Sequence, residues 1–132
     1  MVRGVNAERE PVNAPRAPAA IGPYSHAIRS GDLLFCSGQI PLDPDSGELV
    51  AVSAGAQARR CLENLQAVCE AAGTTLARAV RLTIYMVELG NFAEVNAVCE
   101  EFFPAAPPAR ATVGVAALPR GAGVEIDAIV AL

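Results

Sequence analysis

Between Val80 and Met86 the side chains alternate, with Val80, Leu82, Ile84 and Met86 on one side and Arg81, Thr83 and Tyr85 on the other. A period of two marks a strand with unlike faces. Two helical patterns flank it. From Ser53, a residue suited to an N-cap, apolar side chains recur at Ala58, Cys61, Leu62, Leu65, Val68, Cys69 and Ala72, and Gly73 follows as a natural stop. After the strand, Asn91 with Glu94 three residues later reads as a capping box. Phe92, Val95, Cys99 and Phe102 then form a stripe that Pro104 ends. Upstream, the runs Tyr24 to Arg29 and Leu33 to Ser37 flank Ser30-Gly31-Asp32, the spacing of a hairpin, and Pro41 to Gly47 is dense in turn residues. Downstream, Arg110 to Ala117 and Val124 to Ala131 flank the turn-rich Leu118 to Gly123 and are expected to pair. The resulting order, β-β-α-β-α-β-β, predicts an α/β (α+β) chain with a mixed sheet covered by two helices on one face. Residues 1–16 are expected to be an irregular lead-in, because Pro11 and Pro15, with Pro18 just beyond, remove donors and favour extended geometry, and 17–132 a single domain.

The 132 residues suit one domain, and 52% of them are hydrophobic against 18% charged. That is little charge for so apolar a chain, which implies that another copy covers part of the exterior. A formal charge of -4 disfavours a phosphate-tracking nucleic-acid footprint. No stretch reaches the ~20 apolar residues of a spanning helix, and the start has no apolar signal region. Cys36, Cys61, Cys69 and Cys99 lie in apolar segments without a CxxC spacing, so they read as reduced, buried thiols of a cytoplasmic protein and not as a metal site.

Nothing matches a Walker loop, GxGxxG or HExxH, so the chemistry has to come from polar residues in apolar company. Arg110 opens an apolar strand, and its rigid fork suits a small carboxylate. Glu125 stands inside an apolar run and is suited to orienting or deprotonating a water. Spacing alone favours reading the two as a structural ion pair across neighbouring strands, or as residues facing solvent on the open side of the sheet. His26, the lone histidine, reads either as a general base or as a structural residue. Ser37 offers a hydroxyl, and Tyr24 a ring that can close a pocket.

Several segments then occur in a telling order: Ala17-Pro18-Ala19-Ala20-Ile21-Gly22-Pro23-Tyr24-Ser25, Ser37-Gly38-Gln39-Ile40-Pro41-Leu42-Asp43-Pro44, Glu63-Asn64-Leu65, Phe92-Ala93-Glu94-Val95-Asn96, Pro107-Pro108-Ala109-Arg110 and Val124-Glu125-Ile126-Asp127-Ala128. Together they resemble the RidA (YjgF) family of imine deaminases over nearly everything from Ala17 onward. The resemblance implies a chorismate-mutase-like fold, a homotrimer with active sites between subunits, and no metal or organic cofactor. It implies hydrolysis of 2-imino or 2-enamino acids, released by pyridoxal-phosphate enzymes, to 2-keto acids and ammonia. By the same resemblance, Arg110 binds the substrate carboxylate, Glu125 positions the water, and Tyr24, Ser37, Gly38, Asn96 and Thr112 line the pocket. His26 stands where many members have Gln or Gly, and Thr112 where some carry Cys, so no thiol near Arg110 need be invoked. The loop Pro104 to Pro108 is shorter than in some members. Two other readings compete: a non-catalytic trimer that binds a small carboxylate for regulation, and a ribonuclease or translation inhibitor, labels also attached to the family.

Overall fold

The structure is a computed structural model and describes residues 8–50 and 52–132. Among the described residues six strands form one sheet: β1 (Glu10–Val12), β2 (Ala27–Ser30), β3 (Leu33–Gln39), β4 (Ala79–Met86), β5 (Ala109–Gly114) and β6 (Val124–Ala131). Their spatial order is β1-β2-β3-β6-β4-β5, antiparallel everywhere except between β4 and β5. Helices α1 (Ala54–Ala71) and α2 (Phe92–Phe102) supply the second layer, giving the expected mixed sheet with two helices.

Alternation decides which face is covered. Along β6, Val124, Ile126, Ala128 and Val130 are buried under the helices, while Glu125, Asp127, Ile129 and Ala131 point the other way. Leu34, Leu82, Ile84 and Met86 join the buried set and meet Leu62, Leu65 and Val68 of α1 in one core. The expected stripe of α1 is therefore its packed face. Ser53 caps the helix, its Oγ accepting from the Ala56 N–H at 3.1 Å, and Gly73 ends it at a φ of 83°. The helix-free face keeps apolar residues, among them Phe35 opposite Ile129 and Val113 opposite Tyr85, with Phe35 43% exposed.

Three expectations are corrected. Glu10–Val12, in the supposed irregular lead-in, forms the edge strand β1; Pro11 is tolerated there because an edge leaves one side of the ladder without donors to satisfy. Residues 1–7 of that lead-in lie outside the described residues. Strands β5 and β6 do not pair with each other. The chain crosses from β4 through α2 to β5, a parallel neighbour, while β6 takes the place between β3 and β4 where its apolar face is best covered. The Asn91–Glu94 capping box does not form either. Asn91 makes no side-chain cap bond, and Glu94 Oε1 accepts from the Gly55 N–H of α1 at 3.2 Å, fastening the two helices together.

Asn64 is the one fully buried polar side chain of α1. Its Nδ2 donates to the carbonyls of Leu42 at 3.0 Å and Ile40 at 3.4 Å, fixing the chain that leaves β3. Asn64→Ala strands these carbonyls, so a loss of about 2–4 kcal/mol in denaturant unfolding is expected. A loss under about 0.5 kcal/mol would contradict the assignment.

Candidate functional site

At Ser37-Gly38 the β3–β6 register slips, so that two residues face the single Asp127. This is a β-bulge, a device that re-aims side chains. Beyond it lies a cavity of about 410 Å³ lined by the bulge, the arch Pro18 to Tyr24, Ile40, Leu42, the turn Pro119-Arg120 and Glu125. Glu125 lies so close to Gly38 that a methyl group there would overlap its Oε2. Ser37 Oγ donates to the Ser25 carbonyl at 2.6 Å, which leaves its lone pairs free to accept, and Tyr24 Oη accepts from the Ile21 N–H at 3.2 Å, bracing the arch. Arg120 takes a left-handed φ of 58°, and its Nη1 donates to the Gly47 carbonyl at 3.2 Å. A conformation this costly for a residue with a Cβ fits the strain that collects around binding sites.

Burial raises the Glu125 pKa above the ordinary carboxylate range, and the negative charge of Asp127, two residues on along the same face, raises it further. Asp127 is itself held by Tyr85, whose hydroxyl donates to Oδ2 at 3.0 Å.

Arg110 lies elsewhere. It pairs in register with Leu82, a helix-side residue, whereas Glu125 pairs with Tyr85 on the other side. With β4 between their strands they are on opposite faces of the sheet, and among the described residues Arg110 joins no ion pair. The cross-strand ion pair weighed from sequence is thereby excluded. Arg110 instead lines a second cavity of about 430 Å³ with Asn96, Cys99, Glu100, Phe103 and the prolines at 104, 107 and 108. Its guanidinium carbon stands 5.5 Å over the Phe92 ring, a cation–π geometry that fixes the plane of the fork.

Six of the seven residues predicted from sequence divide into two groups. Tyr24, Ser37, Gly38 and Glu125 surround the first cavity, and Arg110 and Asn96 the second. Thr112 lines neither; it follows Arg110 on the same face, in register with Ile84, and its buried hydroxyl has no partner. A thiol from another element does stand near Arg110. Cys99 of α2 lines the same cavity, and burial pushes its thiol pKa up more strongly than the positive charge of Arg110 pulls it down. Sequence reading also missed Phe92 as the platform for Arg110 and Arg120 at the rim of the first cavity. An aromatic in a helical stripe looks like core, but Phe92 is the first residue of α2 and is 39% exposed. Among the described residues no group of three or more His, Cys, Asp and Glu is arranged to hold a metal ion.

Comparison with known proteins agrees with this architecture. A family model described as Endoribonuclease L-PSP matches residues 14–132. The RutC family protein y4sK of Sinorhizobium fredii is 51% identical, with 93% of this chain and 98% of that protein covered. The 2-iminobutanoate/2-iminopropanoate deaminase of mouse is 41% identical, covering 92% of this chain and 90% of that one. The crystal structure of RidA from the Antarctic bacterium Psychrobacter superposes with a TM-score of 0.90 at 40% identity, covering 94% of this chain and all of that one, 100%. With a sheet, a bulge and an arginine strand laid out as the fold requires, and likeness of this extent along nearly its whole length, the chain belongs to the RidA (YjgF) family, the one described as Endoribonuclease L-PSP.

Proposed function

We propose that the protein is a deaminase that hydrolyses reactive 2-imino acids, and their 2-enamino tautomers, to 2-keto acids and ammonia. The observation that carries this reading is the pair of half-sites: a guanidinium that has no acid partner among the described residues on one face, and a half-buried carboxylate with a raised pKa on the other. An imino acid has a carboxylate beside an electrophilic carbon, so one fixed cation and one held water supply orientation and nucleophile. The names of the mouse relative and of the chloroplast reactive intermediate deaminase of Arabidopsis point the same way.

In this reading three copies associate through the helix-free faces, where Phe35, Ile129 and Val113 gain cover. Arg110 of one subunit then meets Glu125 of another across a cleft, and no subunit holds a complete site. Arg110 binds the carboxylate as a bidentate pair. Ionised Glu125 takes a proton from a water as its oxygen bonds to the imine carbon. That proton passes to nitrogen to give the tetrahedral carbinolamine, and as the carbon–nitrogen bond breaks the adduct's hydroxyl proton is handed to the departing nitrogen, so that ammonia leaves and the carbonyl forms. Ser37 and Tyr24 border the Glu125 half, and Asn96 the Arg110 half. The unpaired thiols of all four cysteines suit a reducing compartment such as the cytoplasm. The ribonuclease reading has less support, since a chain of charge -4 attracts a polyphosphate backbone poorly.

The test is keto-acid release when the protein is added to a pyridoxal-phosphate dehydratase acting on threonine or on serine. Acceleration in either case supports the proposal. Calorimetric binding of 2-ketobutyrate without acceleration turns the reading into that of a carboxylate-binding regulator. Mixing Arg110→Ala with Glu125→Ala protein and allowing subunits to exchange restores activity only if the two groups come from different copies.

The raised pKa of Glu125 sets a pH dependence of known sign. Activity falls on acidification through that pKa, and Asp127→Asn, which removes the like charge, moves this limb to lower pH. Because burial disfavours the ionised carboxyl, folding is favoured below the unfolded-state pKa, and that advantage is lost as pH rises through the folded one. Glu125→Gln is therefore expected to abolish turnover while leaving Tm at pH 7 unchanged or raised.

A further inference from the structure

His26 is the chain's single histidine and is 5% exposed, between the arch and β2. Both ring nitrogens are engaged by backbone. Nδ1 accepts from the Ala14 N–H at 2.9 Å, and Nε2 donates to the Pro18 carbonyl at 2.7 Å. An amide N–H only donates and a carbonyl only accepts, so the partners fix a neutral ring with its proton on Nε2. Neither nitrogen remains to take a proton from a substrate, which removes the general-base reading of His26.

The ring clamps a short turn that the Ala17 N–H closes on the Ala14 carbonyl at 3.1 Å, with Ala14, Ala17 and Pro18 all buried. From Pro18 the same backbone runs on as the arch, and Pro18, Ala19, Ile21 and Tyr24 form one wall of the cavity that holds Glu125. Among the described residues, the other hydrogen bonds made by residues 14–24 stay within that segment, Tyr24 N–H to the Gly22 carbonyl and Ile21 N–H to Tyr24 Oη included. The two imidazole bonds are thus the polar ties between the wall and the sheet. On its other side the backbone carbonyl of His26 accepts from the Ser37 N–H at 3.0 Å, which places the histidine between the wall and the bulge.

We propose that His26 is a positioning residue, whose imidazole holds the arch at the separation from Glu125 that the substrate side chain requires. This rests on the deaminase reading of the same cavity. Arg110 and Glu125 are not on the arch, so a loosened wall weakens substrate binding and leaves the reacting groups in place. The role calls for one acceptor and one donor on the same side chain, which a glutamine carboxamide also offers and leucine does not.

The experiment compares His26→Leu and His26→Gln with the unaltered full-length protein, reading amide hydrogen exchange and the steady-state constants for the threonine-derived imine. In His26→Leu, exchange in residues 14–24 is expected to speed up by about tenfold or more with β3 and β6 unchanged, and KM to rise at least about fivefold with kcat within about threefold. His26→Gln is expected to return KM to within about twofold of the starting protein. A KM within twofold in His26→Leu, unchanged exchange over 14–24, or a glutamine variant as impaired as the leucine one each overturns the proposal. If His26→Leu does not fold, His26→Asn, whose shorter carboxamide cannot span both backbone atoms, takes its place with the same thresholds. An unaltered protein that hydrolyses no imine refutes the deaminase reading itself, and is recognised before any variant is compared.

Discussion

Arg110→Ala lowers kcat/KM for a small imino acid by at least about 100-fold, while the protein stays folded. A carboxylate held by a guanidinium fork makes two charge-assisted hydrogen bonds of about 1.5–3 kcal/mol each, and about 2.7 kcal/mol already corresponds to 100-fold. The side chain stands in an exposed cavity on the edge strand and joins no ion pair among the described residues, so removing it opens no core and leaves no buried partner charge. Arg110→Lys keeps the charge and loses both the planar fork and its stacking on Phe92, so a loss of about tenfold is expected. Steady-state kinetics in the coupled assay, with Tm measured alongside, decide the matter. A loss below about tenfold in Arg110→Ala contradicts the clamp.

Gly38→Ala inactivates the protein without touching a reacting group. Glycine is required there by the close approach of Glu125 and not by an unusual φ, since an added Cβ would meet Oε2 and Cδ of the carboxylate. The neighbouring strand cannot yield, because β6 is hydrogen-bonded on both edges and packed beneath by Ile126 and Val124. The carboxylate must then swing out of the cavity, and kcat falls by about 100-fold or more, the share that a positioned general base contributes. Substrate binding through Arg110 is expected to survive, so ketobutyrate still binds in calorimetry and Tm stays within a few degrees. A kcat within about tenfold of the starting protein shows that Glu125 does not work from its present position.

Much of the fold was legible because local patterns were strong. The alternation held from Leu82 to Met86, as did the stripe from Ala58 to Cys69, and β6 occupies Val124–Ala131 as expected. Val80, expected on the face of Leu82, is instead 48% exposed, because the β4–β6 register shifts between Ala79 and Arg81. What failed was pairing. The capping box was a correct local grammar overruled by a neighbour, since Glu94 found the Gly55 amide of α1 nearer than its own helix end. Residues near Pro11 looked irregular because proline counts against strands in general, and the exception, an edge, is a property of the sheet and not of the segment.

For the site, sequence was enough to pick out Arg110 and Glu125 as polar residues in apolar strands, and resemblance added Tyr24, Ser37, Gly38, Asn96 and Thr112. Sequence alone left open whether Arg110 and Glu125 meet. Residues 110 and 125 lie close along the chain, which made a pair of adjacent strands the natural expectation. The tertiary structure placed β4 between them and turned them to opposite faces. Periodicity reports which residues share a face of one strand; it carries no information on which strand lies beside which, because that choice is made by burial summed over the whole sheet. The same limit hid the tie between His26 and the arch, whose partners are backbone atoms common to every residue. The chain by itself determined which side chains can do chemistry, and only the assembled sheet decided that one copy divides them.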